Sequence, residues 1–376
     1  MPVDMETMEE TSVLLSTKSA RAAAVAVVAS LALAACTTGA SQAPSVAASV
    51  APSGPASVAP SVEPGTLPAP EKTSLKLGVS VTEMSQFAGI LAVEAGIFEK
   101  YGITVEYSVF EGDARVAAAL QAGQIDIGFS GTSSAISSQL TDTPYDVVAV
   151  NAIILTDDLI CQAGIDTAEE VKGKSIAIST FGGTSNAAAL LALKALELSP
   201  TDAAITQVGG QSARLAALEG GSIDCAIIDS NIEDEMKAKG FGIAVNLKDA
   251  QIPFGRSGMS VLQEVIAANP NTVLVAVASV LEAQNMIFAD TAAVVPMYAK
   301  FTTLPEADAK KQVEDFTEIG NRSLMWTEEA LVNAQKAIAV VNPDIIEIKV
   351  TDVGNPTFLQ TLVDNGFYEK IGSPTP

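Results

Sequence analysis

The sequence of 376 residues contains no histidine. Its absence removes the side chain most used as general base, proton shuttle or transition-metal ligand, and with it most hydrolase triads and zinc sites. Basic residues are scarce, 21 against 44 acidic, and the formal charge of −23 argues against a nucleic-acid partner, which needs clustered Lys and Arg. Three cysteines, Cys36, Cys161 and Cys225, are too few and too widely spaced for a disulfide framework or a CxxC metal site. No metal and no cofactor is therefore expected. Charge in general is sparse at 17%, but 48% of the residues are hydrophobic, so the chain is not disordered and is long enough for two globular lobes.

What is present begins with an export signal. After Lys18 and Arg21 the chain runs through an apolar stretch, Ala22 to Leu33, and closes on Ala34 and Ala35 before Cys36. This pattern reads as a signal peptide over residues 1–35. The stretch is roughly a dozen residues, short of the ~20 that a membrane-spanning helix needs. Leu33-Ala34-Ala35-Cys36 resembles the bacterial lipobox, which would leave Cys36 as the lipidated first residue of the mature chain; the alternative is an ordinary buried cysteine. The acidic start, with Asp4, Glu6, Glu9 and Glu10, is unusual before such a signal and points to Met5 or Met8 as the true first residue. Residues 36–73 are rich in Ala, Pro, Ser and Val, with Ala43-Pro44-Ser45-Val46 echoed at Ala59-Pro60-Ser61-Val62. Such a stretch builds no core and is expected to be an extended tether between a membrane anchor and a folded body.

The body is expected to begin at Ser74. Strand, helix, strand, helix, strand follow in order: Leu75 to Val79, Gln86 to Glu94, Ile103 to Val109, Arg115 to Ala122 and Ile125 to Phe129. The same order returns at Ser175 to Ser179, Asn186 to Leu198, Ile205 to Val208, Ala213 to Glu219 and Ile223 to Ile228. The two copies match in identity and spacing at Ala118-Ala119-Leu120, Gly123 and Ile125-Asp126 against Ala216-Ala217-Leu218, Gly221 and Ile223-Asp224, with Gly112 falling on Gly210. The expected fold class is α/β: two similar lobes, each with an open, parallel-rich sheet covered by helices. Beyond Val261 the pattern is largely helical, broken at Asn269-Pro270, Asn342-Pro343 and Asn355-Pro356, and this part is expected to pack on the first lobe. Lobe 1 would comprise residues 74–157 and 261–376, and lobe 2 residues 158–260.

Three segments carry a resemblance to a known group: Ala95-Gly96-Ile97-Phe98-Glu99-Lys100-Tyr101-Gly102-Ile103, Ala119-Leu120-Gln121-Ala122-Gly123-Gln124-Ile125-Asp126 and Val171-Lys172-Gly173-Lys174-Ser175-Ile176-Ala177. They resemble the bacterial periplasmic binding proteins of the type II fold, in the class of nitrate, sulfonate, taurine and thiamine-pyrimidine-precursor binders. The resemblance implies two lobes joined by hinge strands, here near Asp158 to Ala163 and Gly255 to Val261. It also implies a monomer outside the cytoplasm that captures a small molecule between the lobes and delivers it to an ABC permease. At Gly131-Thr132-Ser133-Ser134 the chain departs from the many relatives that carry a Pro there. In this fold the strands of Cys161 and Cys225 would be neighbours, so the pair is expected either as a disulfide or as two buried thiols. A synthase-like enzyme on the same scaffold is the rival reading, weakened by the missing histidine, and a sensor feeding a membrane receptor is another.

In open parallel sheets ligands bind beyond the carboxyl ends of the strands. That rule selects Thr180, Phe181, Gly183, Thr184, Ser185 and Asn186, between a strand and an Ala-rich helix, where free backbone N–H groups and the helix dipole suit a polar or anionic ligand group. A glycine turn with an ordinary N-cap is the plainer account, and no Lys follows to make a P-loop. Opposite it stand Gly131, Thr132 and Ser133, with Gly112 at the start of a helix. Ser80 and Glu83 follow the first strand; Glu83 is placed for an amine or N–H donor, or is a solvated loop carboxylate. Asp229 closes the third strand of lobe 2, facing ligand or capping the next helix. Arg115 and Arg214 start helices, and Phe87, Phe181 and Phe254 either wall a flat ligand or belong to the core, with the core preferred for such aromatics.

Overall fold

The computed structural model describes residues 64–376. Cys36, the signal segment and the tether up to residue 63 lie outside the described residues. Ten residues assigned to the tether lie inside them and are packed on the body. Gly65 donates its N–H to the Asn365 carbonyl, and the Glu71 carboxylate accepts from Asn271 N, Thr272 N and Thr272 Oγ1 at 2.6–3.0 Å. The folded body thus starts before Ser74, because a carboxylate at a helix N-terminus is stabilised by the unpaired amides there.

The first half runs β1 (Ser74–Val79), α1 (Met84–Glu94), α2 (Ile97–Lys100), β2 (Thr104–Val109), α3 (Asp113–Gln121), β3 (Ile127–Ser130), α4 (Thr132–Ser138) and β4 (Tyr145–Ile154). The second runs β5 (Asp157–Cys161), α5 (Ala168–Val171), β6 (Ser175–Ile178), α6 (Thr184–Ala195), β7 (Ala204–Gln207), α7 (Gln211–Glu219), β8 (Cys225–Asp229), α8 (Glu233–Ala238) and β9 (Gly242–Asn246). The chain then returns through β10 (Pro253–Leu262), followed by α9 (Gln263–Ala268), α10 (Pro270–Ala289), α11 (Thr291–Thr302), α12 (Glu306–Ile319), α13 (Glu328–Ala339), α14 (Thr357–Asp364) and α15 (Phe367–Ile371).

Two five-stranded mixed sheets result, in the orders β2-β1-β3-β10-β4 and β7-β6-β8-β5-β9. In each sheet four strands run in one direction and a single strand, β10 in the first and β5 in the second, runs against them. The repeat in the sequence is therefore a repeat in topology, with β1, β2 and β3 matched by β6, β7 and β8. Strands β4 and β8 are buried along almost their whole length because helices cover both faces. Helix α10 is apolar enough and long enough to cross a membrane, but 78% of its most apolar window is buried in the protein, against α1, α11 and α14. Its first position is Pro270, where a missing N–H loses nothing. Helix α13 touches both β10 and α6, so the carboxyl-terminal helices also reach the second sheet.

The crossings between sheets differ from the expected hinges. The first is the short Leu155-Thr156 link between β4 and β5, and the second lies at 247–252, ahead of β10, which belongs wholly to the first sheet. Most of each expected hinge segment is instead a strand paired within one sheet, Asp158 to Cys161 in β5 and Ser257 to Val261 in β10, where ladder hydrogen bonds restrain bending. Cys161 and Cys225 stand directly opposite each other in the β5–β8 pair and are joined as a disulfide.

Candidate functional site

The carboxyl ends of β1 and β6 are built alike. After β1, Ser80 N donates to Gln86 Oε1 at 2.8 Å, and Gln86 Nε2 donates back to Ser80 Oγ at 2.8 Å. After β6, Ser179 N donates to Ser185 Oγ at 2.8 Å, and the two hydroxyls lie 2.7 Å apart. In each half a side chain six residues on, in the following helix, caps the chain where it leaves the strand. This fixes the loop that enters the space between the sheets.

The amino end of α6 is not open. Gly183, its N-cap residue, supplies no side chain, and the Thr184 N–H is taken by Asp113 Oδ2 at 2.8 Å, while Asp113 Oδ1 accepts from Ser80 Oγ at 2.6 Å. Asp113 belongs to α3 of the first half, so a carboxylate from one half occupies the amide site of the other. The approach depends on glycine: a Cβ at Gly131 would run into Thr184 Oγ1, and one at Gly183 would come within 2.9 Å of Asp113 Oδ2. Thr184 Oγ1 also donates to the Arg256 carbonyl at 3.2 Å. The expectation of a free anion subsite at Thr184 is thereby corrected: the chain fills it with its own anion.

Beside this contact stands Arg256 of β10, 6% exposed. Its Nε donates to Asp157 Oδ2 at 3.3 Å, and its Nη2 donates to Glu83 Oε2 at 2.8 Å and to Asp229 Oδ2. Asp229 is held further by Thr156 Oγ1 at 2.9 Å and by Asn231 N at 3.1 Å. Asp158, next along β5, accepts from Ser230 Oγ at 3.0 Å. Burial pushes the Glu83 carboxyl up to about 7 against the pull of Arg256, with Asp229 and Asp157 adding to the rise. Burial likewise pushes Asp158 up to about 8, opposed by the Ser230 hydrogen bond, and raises Asp157 against the pull of Arg256. Burial works against the charge on Arg256, but Asp157, Glu83 and Asp229 hold its pKa well above the ordinary value. One guanidinium thus serves three carboxylates contributed by both halves.

A cavity of about 200 Å³ lies on one side of this cluster, with Glu83, Ser85, Asp229, Asn231 and Arg256 in its wall. On the other side a space of about 40 Å³ is bounded by Ser80, Asp113, Asp157, Thr184 and Arg256. The first has room for a small organic molecule; the second holds little more than a water or two. Among the described residues no grouping has the arrangement of a metal centre.

Of the residues selected from sequence, Ser80, Glu83, Gly112, Thr184, Ser185 and Asp229 line these two spaces, and Gly131 packs against Thr184. Thr132 Oγ1 donates to the Gly255 carbonyl at 2.6 Å, Ser133 and Thr180 are buried with hydroxyls that have no partner, and Asn186 Oδ1 accepts from Gly182 N. None of these four lines either space. Phe181 is corrected: it is 58% exposed, shares a surface hollow with residues of α3 and α4, and lines neither of the two spaces beside Arg256. Phe87 and Phe254 are wholly buried. Arg115 is exposed, and Arg214 is buried on the carbonyls of Ile227 and Gly209, so its Nε and Nη1 are spent on the backbone. Arg256, Asp157, Asp158 and Asp113 were not selected. The signal for the first three was a charge set inside an apolar strand, as in Pro253-Phe254-Gly255-Arg256-Ser257-Gly258-Met259 and Asp157-Asp158-Leu159-Ile160-Cys161, since an ion in such a run needs a buried partner.

The sequence profile of the NMT1-like family matches residues 68–297. A Brucella abortus (strain 2308) protein named as a binding protein is 26% identical over 251 residues, covering 65% of this chain and 76% of the relative. Among solved structures, a protein of Bordetella bronchiseptica RB50 superposes with a TM-score of 0.68 at 20% identity, covering 81% of this chain and 99% of the other. The alkanesulfonate-binding protein SsuA of Xanthomonas axonopodis pv. citri, solved with MOPS bound, gives a TM-score of 0.61 at 18% identity, covering 76% and 99%. At these identities the structures show the fold, and the fold is that of periplasmic binding proteins.

Proposed function

The chain belongs to the NMT1-like family, and from that premise we propose that it is an extracytoplasmic lipoprotein that binds a small polar solute between its two sheets and delivers it to an ABC importer. The observation that carries this reading is the placement of the cavity: Glu83, Asp229 and Arg256, one residue from each of three separate segments, meet in its wall, and Arg256 ties both halves together there. A solute seated in that wall contacts both halves at once, and its preference for the closed arrangement over the open one drives closure. Closure is the change of shape that a permease would read. Glu83, Asp157 and Asp229 are engaged with one guanidinium, an arrangement that recognises and orients. Anchoring through Cys36 accounts for the lipobox-like segment and for the Pro-rich stretch behind it.

Two measurements test the reading. The mature chain, screened by thermal shift against small anionic, neutral and cationic solutes, is expected to gain stability with at least one; a tight ligand adds about 2.7 kcal/mol at one hundred times its dissociation constant. A flat response to all three classes would sink the binding role. Cells producing the Cys36→Ala chain are expected to lose it from the membrane fraction, and retention would refute the lipid anchor.

A further inference from the structure

The sign of charge in the cleft constrains what enters it. Five carboxylates that are at least nine-tenths buried, Glu83, Asp113, Asp157, Asp158 and Asp229, gather around the two buried guanidiniums Arg214 and Arg256. Arg214, in the wall of the smaller space, gives its Nε and Nη1 to backbone carbonyls, and two of the nitrogens of Arg256 are already shared among three of the carboxylates. The amide site at the start of α6, the feature best suited to an anion, is closed by Asp113. An entering anion would therefore displace an internal carboxylate and add charge to an interior that is already negative. A cation meets the reverse situation.

The wall of the larger cavity supplies acceptors in excess of donors. Ser85 is 4% exposed, faces both spaces, and its hydroxyl has no hydrogen-bond partner. Asn231 Oδ1, in the same wall, is buried and also without a partner. Two lysines share the wall, Lys248 and Lys311, the latter engaged by Asp315 at 2.8 Å, and with Arg256 they face the carboxylates Glu83, Asp229, Glu233, Asp234 and Asp315. Unpartnered buried polar atoms beside buried carboxylates mark a place where a group rich in N–H donors is missing.

Resting on the binding role above, we propose that the solute is a compact organic cation, a protonated amine, amidinium or guanidinium, seated between Glu83 and Asp229 with its N–H groups toward Ser85 Oγ and Asn231 Oδ1. The test uses the mature chain with three probe sets: putrescine, agmatine and choline; ribose and uracil; methanesulfonate, nitrate and phosphate. A cationic probe is expected to bind by calorimetry at pH 8, with affinity falling at least tenfold in Asp229→Asn and unchanged in Glu99→Gln, whose carboxylate is exposed on α2. Because Asp229→Asn also touches the Arg256 cluster, the wild-type chain gives a second readout: titration in buffers of different ionisation enthalpy is expected to show proton release on binding, as a cation drives protons off the cluster. Binding of an anionic or neutral probe alone, or proton uptake, overturns the cationic assignment and leaves the binding role standing. Silence from all three sets counts against both.

Discussion

At the scale of single residues, the molecule is organised around a charge that its sequence hides inside a strand. Removing Arg256 takes the one paired guanidinium away from Glu83, Asp157 and Asp229, with Arg214 left only as an unbonded neighbouring charge. Arg256→Met is expected to cost about 3–5 kcal/mol at pH 8, the range for breaking a buried ion pair from one side. The loss is expected to shrink toward pH 5 as the orphaned carboxyls take up protons, and equal urea midpoint shifts at both pH values would refute this. The unmodified protein makes a related prediction. Glu83 and Asp158 have folded-state values raised to about 7 and about 8, so between pH 5 and pH 8 the native state holds protons that the unfolded chain has released. Stability from these groups is fully present below their unfolded values and is lost as pH rises through 7 and 8. With no histidine to titrate in that window, the melting temperature is expected to fall from pH 5 to pH 8. Glu83→Gln is expected to flatten the fall, which separates the effect of this carboxyl from the general repulsion of an acidic chain.

At the scale of elements, the decisive contact is between the start of α3 and the start of α6. Both helices begin with glycine at the N-cap and neither has a side-chain cap of its own, so Asp113 of one serves as cap to the other across the cleft. Asp113→Ala is expected to lose about 1–2 kcal/mol of stability, the typical worth of a cap with a helix dipole. More tellingly, it is expected to enlarge the ligand-free protein, with a larger radius of gyration by small-angle scattering. An unchanged radius would mean that the contact does not hold the halves together. The sequence showed each helix and nearly every strand of the repeat within two or three residues, because periodicity and turn residues are local. It did not show the cap, since the partner of Thr184 lies 71 residues away.

At the scale of the whole molecule, the body is larger than its sequence suggested at one end. Pro-rich composition marked residues 64–73 as tether, but Glu71 seats them on α10, and Lys72 pairs with Asp126. A chain beginning at Ser74 is expected to melt several degrees below one beginning at Pro64, since each kcal/mol shifts a domain of this size by roughly 2–4 °C. Coincident melting curves would return those residues to the tether. The two crossings between sheets, at Leu155-Thr156 and at 247–252, were also shifted from their expected places. Strand ends are set by which ladder the chain joins, and β10 is placed between β3 and β4, both distant from it in the chain.

The sequence by itself determined what depends on local order: the α/β repeat, the helical carboxyl-terminal part, the acidic balance, and Ser80, Glu83, Thr184, Ser185 and Asp229 at the ends of their strands. The missing histidine removed whole classes of chemistry before any fold was considered, and it also leaves buried carboxyls to govern the response to pH. Only the tertiary structure decided that Arg256 is the centre of a buried charge cluster and that Asp113 closes the end of α6. Both depend on charges brought together from distant segments, and the energy of a buried charge is fixed by the neighbours that folding supplies.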